Sequence, residues 1–143
     1  MLAQELDFQT RLEAHVHGWL HSDGGRADPH ADLIALAPEL FHLACRLVAD
    51  ADVPAEERAR LGAAIAYFVI PSDIIPEALA GPRGYLDDVA ITAAALSKVA
   101  PVLLERHWRG EGSAAEAVRT VLARAEEALG DHAIWRKLRS LLE

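Results

Sequence analysis

The feature that most constrains the fold is a pair of apolar segments on either side of a short turn rich in proline. The segment from Leu61 to Ile70 carries its large apolar residues at helical spacing, which predicts one face of an amphipathic helix. The segment from Asp87 to about Leu104 is apolar on nearly every side, which is typical of a buried helix. Neither contains the run of about 18 to 20 unbroken apolar residues that a membrane span requires. The two segments therefore predict a central apolar helical hairpin and no transmembrane span.

The N-terminal part of the chain also shows helical periodicity. Glu5 to His21 predicts a first helix with one apolar stripe. Ser22 to Gly25 is the most loop-like stretch in the chain and predicts the end of that helix. Asp28 followed by proline predicts an N-cap and the start of a second helix, which runs to about Ala49 with a break or kink at Pro38. The helix of the first apolar segment is predicted to begin near Ala55.

The C-terminal part predicts two further helices. His107 to Gly112 is expected to form a loop. Ser113 and Glu116 have the spacing of a capping box, which predicts a helix start. Gly130 and Asp131 predict the end of that helix, and a last helix is expected from about His132 to Leu142. No segment has the alternation of a strand, so we predict one compact all-α domain, residues 1–143, with five to seven helices.

Composition excludes several classes of protein. Lys plus Arg is 14 and Asp plus Glu is 22, which gives a net charge of −8. This balance excludes a protein that binds nucleic acid through basic charge, and we expect no nucleic-acid partner. The one cysteine, Cys45, lies among apolar residues and predicts a buried, inert thiol. A single cysteine cannot form an internal disulfide, and the N-terminus lacks the features of a secretory signal, so we predict a cytoplasmic protein.

The turn between the two apolar segments gathers four carboxylates. These are Asp73, Glu77, Asp87 and Asp88. A helical hairpin brings the two ends of its turn together, so we expect these side chains to lie close to one another. Three roles are open to them: they cap helix ends and tie down the turn, they bind a hard cation such as Mg²⁺ or Ca²⁺ through oxygen ligands, or they share a proton in acid–base catalysis. Arg83, inside the turn, is expected to pair with one of them.

Other candidate sites are weaker. Glu13, His17 and His21 are spaced four residues apart and predict one helix face, which is either solvated or part of a zinc site. No nucleophile or phosphate-binding loop accompanies the four carboxylates. We therefore predict no catalytic residues and no bound cofactor, with Mg²⁺ or Ca²⁺ at the acidic turn as the alternative. The sequence favours, without requiring, a protein that is not an enzyme.

The turn also carries a resemblance to a family. Tyr67 to Glu77, followed by Gly84 to Asp88, resembles the signature of the YkvA-like domain-of-unknown-function family. The resemblance covers about Leu61 to Val99, and the stretch from Leu36 to Leu40 is similar to a longer bacterial branch. It implies a small helical domain with an acidic turn, and brings no established reaction, substrate or cofactor. Some members of the family occur in membrane-associated proteins.

Three functional hypotheses follow. The first, which we favour, is a non-enzymatic helical module that binds a protein partner or assembles with itself, because the helices are heavily apolar and no catalytic set is visible. The second is a divalent-cation site on the acidic turn that supports hydrolysis. The third is peripheral membrane association through an exposed apolar hairpin.

Overall fold

The chain folds into a bundle of α-helices. The computed structural model describes residues 3–69 and 85–129, and this part of the chain contains eight helical segments and no strand. They are α1 (Ala3–Leu20), α2 (Asp23–Ala27), α3 (Ala31–Ile34), α4 (Ala37–Val48), α5 (Ala55–Val69), α6 (Tyr85–Leu96), α7 (Pro101–His107) and α8 (Ala114–Leu129). Two of these, α2 and α3, have only 5 and 4 residues. The predicted all-α fold class is confirmed.

Helix α6 lies at the centre of the bundle. Every residue from Tyr85 to Leu96 is buried, and the helix packs against α3, α4, α5 and α8. A helix that is apolar on all sides gains most by losing all contact with water, and this explains the central position. Its contact with α5 confirms the predicted apolar hairpin. The connection between these helices, residues 70–84, lies outside the described residues.

Aromatic rings join α6 to three of the helices around it. The ring of Phe41 on α4 lies 4.9 Å from that of Phe8 on α1 and 5.4 Å from that of Phe68 on α5, measured between centroids. The ring of Tyr85 on α6 lies 6.2 Å from that of Phe68. These are tilted and edge-to-face arrangements, which aromatic pairs prefer. The four rings form one side of the hydrophobic core.

The second segment of the hairpin differs from its prediction in two ways. The helix begins at Tyr85, two residues early, so that Asp87 and Asp88 lie within its first turn. It ends at Leu96, and a new helix, α7, begins at Pro101. Ala100 is extended, with φ −58° and ψ 135°, because a residue before proline avoids the helical region. The prediction of one helix reaching Leu104 was therefore wrong.

The glycine-rich stretch after α1 is helical, and the prediction of a loop there was wrong. The hydroxyl of Ser22 accepts a hydrogen bond from the backbone N–H of Gly25 at 3.2 Å and caps α2. A Cβ atom on Gly25 would lie 2.0 Å from the carbonyl oxygen of Trp19. Glycine is required here because the chain turns tightly back on the end of α1.

The predicted second helix is two helices. Asp28 does not cap a helix that starts at once, because its carboxylate accepts a hydrogen bond from the N–H of His30 at 2.8 Å and α3 begins at Ala31. Pro38 lies in the first turn of α4. Backbone N–H groups in a first turn have no acceptor within the helix, so the N–H that proline lacks costs no hydrogen bond there.

The prediction for the start of α8 is confirmed. The hydroxyl of Ser113 accepts a hydrogen bond from the N–H of Glu116 at 3.1 Å. A carboxylate from α7 adds to this cap, because Glu105 accepts a hydrogen bond from the N–H of Ala114 at 2.6 Å. The last helix, predicted from about His132, lies outside the described residues.

Candidate functional site

Two of the four predicted site residues lie deep in the core. The side chains of Asp87 and Asp88 are in the first turn of α6, and the two residues are 1% and 0% exposed. The start of a helix suits a carboxylate, because the backbone N–H groups there carry partial positive charge. A carboxylate removed from water is nonetheless costly unless it is paired, hydrogen-bonded or bound to a cation. The position in a first turn fits the predicted structural role.

The other predicted ligands, Asp73 and Glu77, lie outside the described residues, as does Arg83. The gathering of four carboxylates around the turn therefore stays a prediction. Within residues 3–69 and 85–129, no three His, Cys, Asp or Glu side chains are arranged to hold a metal ion.

The alternative zinc site on α1 is not assembled. Glu13 accepts hydrogen bonds from Arg109 at 2.6 Å and from Gln9 at 2.9 Å. Partial burial opposes ionisation of Glu13, but these two hydrogen bonds outweigh it and lower its pKa. The imidazole Nδ1 of His21 lies 2.9 Å from the backbone oxygen of His17. Glu13 thus forms an ion pair with Arg109, which is far from it in sequence.

A cluster that the sequence did not predict joins the α4–α5 connection to the end of α7. The carboxylate of Asp50 lies 2.7 Å from the imidazole Nε2 of His107 and accepts a hydrogen bond from Arg106 at 2.9 Å. Arg106 also donates to Asp52 at 2.9 Å. The hydrogen bond with His107, that from the N–H of Asp52 and that from Arg106 together lower the pKa of Asp50 to about 2. We call Asp50, Asp52, Arg106 and His107 the surface cluster.

A second unpredicted cluster centres on Arg109, in the loop after α7. Its guanidinium donates to Glu39 on α4 at 2.8 Å and to Glu13 on α1 at 2.6 Å. Burial, followed by the positive charge of Arg109, lowers the pKa of the neighbouring His42. Sequence separations of 70 and 96 residues explain why no local pattern revealed these pairs.

A cleft opens beside α1, between the end of α5 and the start of α6. Its volume is about 280 Å³. We call it the α1 cleft, and its lining residues are Phe8, Arg11, Leu12, His15, Val69 and Tyr85. Apolar side chains form most of its surface, with one guanidinium and one imidazole beside them. No local sequence pattern predicts this cleft, because its residues come from three separate helices.

A smaller groove, of about 180 Å³, separates α7 from α8. We call it the α7–α8 groove, and it is lined by Ser97, Val99, Pro101, Leu104, Ala115, Val118, Arg119 and Leu122. Val102 follows Pro101 on α7 and is 71% exposed, the highest value among the described large apolar side chains. The groove and Val102 place apolar surface in contact with water.

The helices of the described residues are too short or too polar to cross a membrane. This holds for both helices of the apolar hairpin and agrees with the prediction of no transmembrane span.

A comparison with protein families matches the part of the chain that contains the central hairpin. Residues 57–94 match the model of a family described as "Protein of unknown function (DUF1232)". This range contains most of α5 and α6, so the hairpin resembles an uncharacterised domain family, as predicted. The chain is also 27% identical over 105 residues to "Uncharacterized protein ORF9" of Methanothermobacter thermautotrophicus, an alignment that covers 71% of this chain and 72% of that protein. No solved structure matches the chain.

Proposed function

We propose that the protein is a helical module that self-associates, and that two copies meet at their α7–α8 grooves. The observation that carries the proposal is the 71% exposure of Val102, which follows the groove residue Pro101 on α7. A single exposed apolar side chain is common on protein surfaces. A groove of apolar side chains with such a residue at its edge is the pattern of a surface that binds another protein.

The shape of the groove favours a helix as its occupant. Its walls are the sides of two helices, with Leu104 on α7 and Leu122 on α8 among its lining residues. Packing of a helix ridge into such a groove is the usual way in which helices associate. Helix α7 of a second copy presents Val102 as the side chain that enters the groove. A symmetric dimer then forms from one self-complementary surface.

The net charge of the protein predicts how the affinity of the dimer depends on salt. Each copy carries a net charge of −8, so two copies repel each other at low ionic strength. Added salt screens this repulsion and leaves the burial of apolar surface unchanged. We therefore expect the dimer to become tighter as salt is raised, which is the opposite of an assembly held by ion pairs.

Sedimentation velocity over a range of concentrations tests the proposal with a matched pair of variants. Val102→Asp adds a charge at the edge of the groove, whereas Leu6→Asp adds one at an exposed apolar position on α1. We expect the wild type and Leu6→Asp to dimerise and Val102→Asp to remain monomeric, with native circular dichroism in all three. A wild type that sediments as a monomer at every concentration and salt level would contradict the proposal, as would a Val102→Asp variant that dimerises normally.

A second candidate function is divalent-cation binding at Asp87 and Asp88. Its support is the burial of two adjacent carboxylates in an apolar helix, since buried charges in proteins are paired or bound to metals. Oxygen ligands of this kind suit Mg²⁺ or Ca²⁺. The predicted partners Asp73 and Glu77 would complete the ligand set.

Isothermal titration calorimetry with Mg²⁺, Ca²⁺ and Mn²⁺ tests this candidate. We expect saturable heat for the wild type and none for Asp88→Asn, which keeps the size of the side chain and removes its charge. Asp52→Asn removes an exposed carboxylate elsewhere and serves as the control. Equal heats in all three proteins, or no heat in the wild type, would exclude a cation site at α6.

A further inference from the structure

The α1 cleft joins an apolar floor to a positively charged rim. Leu12 and Tyr85 at its floor are fully or almost fully buried, and Phe8 belongs to the aromatic side of the core. Arg11 and His15 are exposed and lie four residues apart on α1, so they project from the same face of the helix. The cleft therefore offers apolar contact and positive charge at the same place.

Arg11 differs from three arginines that join separate helices of the bundle. Arg106, Arg109 and Arg124 each pair with a carboxylate. Arg11 has no carboxylate partner within the described residues: its Nε donates to the backbone oxygen of Asp7 at 3.4 Å, and its guanidinium carbon lies 6.0 Å from the centre of the Phe8 ring. Its remaining donors are directed to neither an acid nor a carbonyl of this part of the chain.

We propose that the α1 cleft binds a small amphipathic carboxylate. The carboxylate group pairs with the guanidinium of Arg11, which is built for two parallel hydrogen bonds to such an anion. The apolar part of the ligand lies against Phe8 and Val69, the apolar lining residues that solvent reaches. In a protein of net charge −8, a guanidinium without an acid partner beside an apolar floor selects an anion over a neutral or cationic molecule of the same shape.

The size of the cleft limits the ligand. Its volume of about 280 Å³ is close to the lower end of ligand pockets, roughly 300 Å³. A short acyl chain or a single aromatic ring fits this space, and a nucleotide does not. Val69 in its wall is exposed to solvent, so a bound apolar group removes that side chain from water.

Asp7 is the charged group that opposes this binding. It lies one turn before Arg11 on α1 and is exposed. Its carboxylate repels an incoming anion without forming an ion pair with Arg11 in the structure. Removal of its charge should strengthen binding, and this gives the proposal a variant that increases affinity as well as one that decreases it.

Titration of the ¹⁵N-labelled protein with octanoate, followed by NMR, tests the proposal. We expect saturable shifts at the amides around the cleft, weaker binding of octanol, and none of octylamine. Arg11→Gln should weaken octanoate binding by about tenfold, the loss of one charge-assisted contact. Arg26→Gln removes an exposed arginine on α2 and should leave binding unchanged. Asp7→Asn should tighten it.

Several results would overturn the proposal. These are the absence of saturable shifts with octanoate, equal binding of octanol, or equal affinity of the Arg11→Gln and Arg26→Gln variants. Binding to vesicles of phosphatidylglycerol without binding to free octanoate would also overturn it, since the surface would then recognise a membrane. The α1 cleft and the α7–α8 groove share no lining residue, so Val102→Asp separates the two proposals: it should abolish dimers and leave octanoate binding intact.

Discussion

Two pairs of acidic residues mark opposite environments in this molecule. Asp50 and Asp52 belong to the surface cluster, where Arg106 and His107 supply their partners from α7. Asp87 and Asp88 lie in the first turn of a helix that is buried on all sides. Both pairs stand at the junction of a turn and a helix in the sequence. What separates them is the amount of water around the carboxylates, and this determines what each pair contributes.

The comparison indicates that burial affects the contribution of a carboxylate to stability more than its local sequence does. In the surface cluster, Asp52 is 70% exposed, so water competes for its pair with Arg106 and that pair contributes little to stability. Asp50 and His107 are 10% and 15% exposed, so water weakens their contact less. In the core, water is absent, and a carboxylate must be satisfied by the protein, by a proton or by a cation. The surface cluster therefore joins two segments of the chain, while we expect Asp87 and Asp88 to contribute more to the stability of the core.

The largest expected effect is that of Asp88→Ala. Loss of the buried carboxylate removes a charge-assisted interaction and should lower the free energy of unfolding by about 1.5 to 3 kcal/mol. Urea denaturation followed by circular dichroism measures it. Asp52→Ala is the control, because the side chain of Asp52 is 70% exposed, and it should change stability much less. An Asp88→Ala variant more stable than the wild type would show instead that the two buried carboxylates repel each other.

A smaller effect is expected for His107→Gln. The substitution removes the imidazole that lies 2.7 Å from Asp50 and leaves Arg106 in place as a partner. The urea midpoint should fall by less than half of the change caused by Asp88→Ala, with an unchanged slope. A decrease as large as that of Asp88→Ala would mean that the surface cluster is as important to folding as the buried pair, and the contrast between them would fail.

The smallest effect is confined to acid. The pKa of Asp50 is lowered from 3.8 to about 2, chiefly by the hydrogen bond with His107. A carboxyl whose pKa is lower in the folded state stabilises the protein above its unfolded pKa, and this contribution is lost as the pH falls through the folded pKa. The stability difference between wild type and Asp50→Asn should therefore be constant above about pH 4 and shrink as the pH falls to 2. A difference that does not change over this range would contradict the lowered pKa.

The sequence was sufficient to predict the elements whose signals are local. The central hairpin follows from apolar periodicity, and the start of α8 from the spacing of Ser113 and Glu116, whose hydrogen bond is present. The end of α6 differs from its prediction because the apolar run continues to Leu104, whereas Pro101 begins another helix. Helix α2 was not predicted. Glycine is needed at Gly25 because the carbonyl oxygen of Trp19 lies too close for a Cβ atom, and no local sequence rule shows that approach.

The candidate sites were less accessible to prediction. Burial of Asp87 and Asp88 was foreseeable, since they adjoin the most apolar segment. The surface cluster joins residues up to 57 positions apart, and the α1 cleft combines residues of α1, α5 and α6. Contacts over such separations depend on how the helices pack, and a single sequence carries no local record of that packing.

The most direct test of the proposed function is a mixed-label NMR experiment on the wild-type protein. Methyl-labelled chains are combined with unlabelled chains, and nuclear Overhauser effects between the two populations are recorded in moderate salt. We expect intermolecular effects from the methyl groups of Val102 and Leu122, at the α7–α8 groove. The absence of intermolecular effects, or effects that come only from Leu6 on α1, would contradict self-association through this groove.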